Sequence, residues 1–131
     1  MIYEATTRGE RIRATPTYLP DQSDPDEGRH VWAYGIEIVN EGFETVQLTA
    51  RRWVITDARG VTRVVEGPGV VGEQPILRPG DGFSYTSGCP LDATSGLMSG
   101  HYEMVTDAGE TFLAVVPPFP LDVPGAARVV H

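Results

Sequence analysis

Hydrophobic positions recur every second residue along this chain, in short runs broken by glycine and proline. In "HVWAYGIEIVN", Trp32, Tyr34, Ile36 and Ile38 fall on one side of an extended strand; Val31, Ala33, Gly35 and Glu37 fall on the other. In "TVQLTARRWVITD", Val46, Leu48 and Ala50 share a side, and the apolar phase then switches to Trp53 and Ile55. A one-residue switch of this kind predicts a β-bulge, placed near Arg51 and Arg52. "DARG" at 57–60 predicts a hairpin into "VTRVVE", and "DAGE" at 107–110 predicts one between "GHYEMVT" and "TFLAVV". "RIRATPTYL" and "FSYTSG", the latter with Phe83 and Tyr85 on one side, bring the count to about seven strands. No segment carries a helical period. The expectation is an all-β chain, an antiparallel sandwich of the fibronectin type III or immunoglobulin-like kind. It forms one domain over residues 1–124, with a frayed tail over 125–131.

Composition narrows the function classes. No apolar run approaches the roughly 20 residues that cross a bilayer, and no leader pattern opens the chain. A single cysteine, Cys89, leaves no internal disulfide. A soluble cytoplasmic protein is expected, with no membrane association. The net charge is −8 and there is no lysine, which removes a phosphate-loop lysine, a Schiff-base lysine and a lysine general base. It also argues against general nucleic-acid binding, which needs a basic footprint. "TARRW" still sets Arg51 and Arg52 side by side as a local basic patch.

One motif asks for a ligand. In "EGPGVVGEQP", Gly67, Gly69 and Gly72 have the G-x-G-x-x-G spacing of a dinucleotide loop. Such a loop works by delivering the phosphate to a helix N-terminus. Here Pro75 and Pro79 follow at once and forbid that helix. Two readings stay open: a turn where glycine permits positive φ, which is preferred, or a nest of backbone N–H groups holding an anion, with Arg78 or Arg63 assisting. The acidic stretch holding Asp21, Asp24, Asp26 and Glu27 lacks the calcium-loop pattern and reads as a solvated loop. No metal site, cofactor or catalytic constellation is expected. Tyr102 in "GHYEM" reads as a tyrosine corner, its hydroxyl bonding backbone upstream. "VVPPFPLDVP" predicts an edge strand, since proline cannot donate to a ladder. Phe119 and Leu121 would anchor it, and Pro118 and Phe119 join Arg51 and Arg52 as a candidate interaction surface.

Taken together, "VWAYGIEIVN", "QLTARRWVITD", "GPGVVGEQPILRPGDGFSYTSG" and "GLMSGHYEMVTDAGETFLAVVPPFPL" resemble the ApaG family over nearly the whole chain. The resemblance implies a fibronectin type III-like sandwich with no established enzymatic activity. It implies a family-level link to cobalt resistance and magnesium efflux, and similar domains in larger proteins look like protein-interaction modules. Gly67, Gly69 and Gly72 match the family glycines that have prompted proposals of pyrophosphate binding. The resulting expectation is a non-enzymatic interaction module with unidentified protein partners and a possible homodimer through strand edges. The alternative is a sensor of pyrophosphate, a nucleotide or a divalent cation.

Overall fold

The computed structural model describes residues 1–125, so most of the tail expected to fray lies outside the described residues. Nine strands follow one another: β1 (Tyr3–Thr7), β2 (Glu10–Tyr18), β3 (His30–Asn40), β4 (Val46–Asp57), β5 (Thr62–Pro68), β6 (Ile76–Leu77), β7 (Gly82–Leu91), β8 (Ser95–Thr106) and β9 (Thr111–Asp122). They build two antiparallel sheets, one ordered β1-β2-β3-β7 and the other β5-β4-β8-β9, with β6 also pairing to β4. The architecture is the expected sandwich, with two more strands than the sequence pattern predicts. β1 joins β2 through a two-residue turn at Arg8 and Gly9, both at positive φ. β6 is only two residues long. No helix among the described residues is long and apolar enough to cross a membrane.

The period-two pattern of β3 is its burial pattern. Trp32, Tyr34, Ile36 and Ile38 all face inward, as do Val46, Leu48, Trp53 and Ile55 of β4. Aromatic rings join the two sheets. Trp53 meets Tyr34 at 5.3 Å, Tyr102 at 6.0 Å and Phe119 at 6.1 Å between centroids, each edge-to-face. Such pairs add about 0.5–1.5 kcal/mol each beyond the area they bury. Tyr102 departs from the tyrosine-corner expectation: it is fully buried and its hydroxyl pairs with the Tyr85 hydroxyl, not with backbone.

The two sides of the sandwich differ. On one side the edge strands β1 and β9 approach, and the Val115 amide donates to Thr7 Oγ1 at 3.1 Å. β9 carries Pro117, Pro118 and Pro120 on that edge strand, and Pro117 and Pro118 fall where its register against β8 shifts, outside the ladder pairs. On the other side β5 and β7 are the edges. Arg63 reaches across the gap to donate from Nη2 to the Pro90 carbonyl at 2.8 Å. The acidic stretch forms two exposed 3-10 turns, Pro20–Gln22 and Pro25–Glu27.

Glu10 is buried at the start of β2, and its Oε1 has no hydrogen-bond partner. Burial, helped by the Glu44 charge, pushes its carboxyl up to about 7 from the usual 4.5. Between those values the native state holds a proton that the unfolded chain has released. Stability from this group is therefore greatest below about pH 4.5 and is lost as pH rises toward 7. Urea midpoints measured against pH should show Glu10→Gln overtaking the wild type across that window and holding its advantage above it. A difference independent of pH would contradict the assignment.

Candidate functional site

The glycine loop is an excursion of one edge strand. β5 runs antiparallel to β4 from Thr56↔Thr62 to Ala50↔Pro68, and β6 resumes the same track at Gln47↔Ile76 and Val46↔Leu77. Residues 69–75 bulge out between them. The cause lies in β4. Its register against β8 shifts between Leu48 and Ala50, at Thr49, two residues before the position the sequence suggested. The Thr49 hydroxyl bonds Glu103 Oε1 at 2.7 Å. The Thr49 carbonyl accepts from the Gly69 amide at 2.8 Å and from Gln74 Nε2 at 2.9 Å. The bulge residue holds both ends of the loop.

Each glycine answers to a different steric demand. Gly67 faces Arg51 across the strand pair, and a Cβ there would lie 3.1 Å from both terminal guanidinium nitrogens. Arg51 lies across this opening and donates from Nη1 to the carbonyls of Pro68 (3.0 Å) and Gly69 (2.9 Å). Gly69 has φ +58°, and its Cβ would meet the Glu73 carbonyl oxygen at 2.1 Å. Gly72, φ +80°, follows Val71, φ +43°. Val70 and Glu73 exchange both backbone hydrogen bonds at 2.8 Å, so Val71 and Gly72 form a type I′ turn. Positive φ accounts for Gly69 and Gly72, and room for the Arg51 side chain accounts for Gly67. The Gly69 amide is already committed to Thr49, and Arg51 is aimed at carbonyl oxygens. Arg78 sits apart in the 78–81 turn, its Nε 3.7 Å from Asp81.

The shift at Thr49 also separates the two arginines. Arg51 shares the inner face with Trp53, while Arg52 points outward, 3.9 Å from Glu66. Adjacent strand residues alternate faces, so the expected side-by-side patch does not form. Phe119 is likewise not on an interaction surface: it is fully buried among the aromatic rings, and Pro118 alone of that pair is exposed. Both expectations took neighbours in sequence for neighbours in space.

What the fold gathers instead is a cleft of 210 Å³ on the β5–β7 side. Arg51 and Trp53 of β4 enter it with Arg63 of β5, Tyr34 of β3, and Ser87 and Cys89 of β7. Burial pushes the hydroxyls of Tyr34, Tyr85 and Tyr102 up, so all three stay neutral. Burial also pushes the Cys89 thiol up, against the pull of the Arg63 guanidinium, and keeps it protonated. The cleft therefore presents neutral donors and two cations, with no activated nucleophile. Arg63 was the residue sequence reasoning placed only as a helper to the loop. Its inward position follows from counting β5 back across the 57–60 hairpin, which sets it opposite Ile55.

Val71 is a β-branched residue at positive φ and is 58 % exposed. Asparagine suits that turn position far better. Val71→Asn should raise stability by roughly 1 kcal/mol in urea titrations; an unchanged or lower midpoint would contradict the turn assignment.

Comparison with known proteins places this geometry. The model of the ApaG domain matches residues 20–106. Protein ApaG of Xanthobacter autotrophicus is 56% identical over 130 residues, covering 99% of this chain and all of the relative. Protein ApaG of Parvibaculum lavamentivorans is 57% identical with the same coverage. The crystal structure of a Bordetella pertussis protein described as ApaA superposes with a TM-score of 0.85 at 41% identity, covering 93% of this chain and 96% of that one. With full-length relatives above half identity and the same sandwich in a solved structure, the chain belongs to the ApaG family.

Proposed function

We propose that the protein is a non-enzymatic interaction module that docks a protein partner on the outer face of the β5-β4-β8-β9 sheet. The observation that carries this reading is the apolar character of that face. Val64, Leu97, Leu113 and Val115 are each between 46 and 49 % exposed. They are spaced among polar positions of that face: Val64 is opposite Val54, Leu97 opposite Thr56, Val115 opposite His101, and Leu113 opposite Glu103. Exposed Pro118 on β9 extends the same face. Exposed apolar residues interspersed with polar ones are the usual composition of a docking face. A proline-stiffened edge loses little entropy when a partner covers it.

The cleft chemistry supports the non-catalytic half of the proposal, since its thiol and hydroxyls are held protonated. The link to cobalt and magnesium handling then acts through the partner. Among the described residues, no group of three histidine, cysteine or carboxylate side chains is placed to hold a metal ion.

The test compares the full chain with a Leu113→Glu, Val115→Glu double variant and with a control carrying Thr15→Glu on the other sheet. Cross-linking in native extracts, read by mass spectrometry, should give a protein that the wild type and the control capture and the double variant loses by about tenfold or more. Surface changes of this kind leave folding stability within about 0.5 kcal/mol, so thermal midpoints should match. Equal capture by all three would sink the proposal.

A further inference from the structure

The cleft between β5 and β7 holds a buried donor with nothing to donate to. Trp53 is 2 % exposed, and its Nε1–H has no acceptor among the described residues. The chain's other indole is satisfied: Trp32 Nε1 donates to the Asp122 carbonyl at 3.0 Å. Buried N–H groups are nearly always paired, and an orphan calls for a missing acceptor. Trp53 is one of the residues that line the cleft, which places the missing acceptor's nearest open space there.

Charge points to the same place. The protein carries a net charge of −8, and carboxylates are plentiful. Arg8, Arg11, Arg13, Arg52, Arg59 and Arg78 each have one within 4.0 Å. Among the described residues, Arg29, Arg51 and Arg63 have none, and all three border this side of the sandwich. Arg51 and Arg63 line the cleft itself, and no carboxylate lines it. Their hydrogen bonds go to the carbonyls of Pro68, Gly69 and Pro90 and to the Cys89 sulfur, neutral groups that leave the guanidinium charges uncompensated. Arg29 lines the adjoining hollow, which shares Arg63 and also contains Asp57 and Asp92.

We infer that this cleft binds a small organic carboxylate. The carboxylate oxygens accept from Trp53 Nε1–H and from the free edges of the Arg51 and Arg63 guanidiniums, and the ligand's apolar body packs on Ile55, Val65 and Pro90. At 210 Å³ the cleft is below the roughly 300–1,000 Å³ typical of drug-sized pockets, which limits the ligand to metabolite size. The apolar wall selects against inorganic phosphate, whose oxygens all require donors. This site lies on the inner face at the β5–β7 side, apart from the outer-face surface that the interaction proposal uses. Either can fail without the other.

The test uses the two indole N–H signals in ¹H–¹⁵N spectra of the labelled full chain, assigned with Trp53→Phe. Sodium benzoate is titrated against inorganic phosphate and sodium chloride at matched ionic strength. Benzoate should move the Trp53 indole signal saturably and leave that of Trp32 in place, and Arg63→Gln should weaken the apparent Kd by about tenfold or more. An unmoved Trp53 signal, a response that phosphate saturates and benzoate does not, a response chloride reproduces, or undiminished binding by Arg63→Gln would each overturn the inference.

Discussion

Thr49 is where the fold turns. A β-strand can show a continuous inner face only while its alternation is unbroken, and β4 has to bury both Leu48 and Trp53, which have opposite parity. The bulge at Thr49 absorbs the difference. Two consequences follow. Arg51 is carried to the inner side with Trp53, and the Thr49 carbonyl becomes the acceptor for Gly69 and Gln74. An unsatisfied guanidinium is costly near a core, so Arg51 spans the gap left by Gly67 to reach two carbonyls. The edge strand then has to bow outward over residues 69–75 before it rejoins β4. The glycine spacing records that detour: one position cleared for an arginine and two with backbone that favours glycine.

This chain of causes also makes the sandwich asymmetric. The β1–β9 side is closed by strand contact and by a proline-bearing edge. The β5–β7 side is bridged mainly by a single long side chain, Arg63 to Pro90. Two cations left without counter-charges and an indole without an acceptor sit on the bridged side. The docking proposed for the outer face uses none of them.

Much of the fold was legible because period-two alternation reports burial directly. β3 and the hairpins at 57–60 and 107–110 sit where the pattern puts them, and β8 begins at Ser95, five residues before the run that the pattern marks. β1 escaped because "YEATT" contains little that is apolar, although Arg8-Gly9 is the turn that a positive-φ hairpin requires. β6 escaped because two residues carry no period. The site was less legible. Parity places Arg63 inward only once the β4–β5 register is known, and the parity of Arg51 depends on whether the bulge falls before or after it. Pairing of Tyr85 with Tyr102 joins strands on opposite sheets, which no local pattern encodes. Phe119 was read correctly as an anchor of β9, and an anchor is by that fact unavailable to a partner.

Amide hydrogen exchange at Gly69 and Val70 tests the central claim, that the inward turn of Arg51 holds the loop. Arg51→Met should speed exchange at both amides by about tenfold or more, the equivalent of losing charge-assisted hydrogen bonds to the loop carbonyls. Arg52→Met, on the outer face, should leave both rates as they are. Equal effects from the two variants, or none from Arg51→Met, would contradict the account.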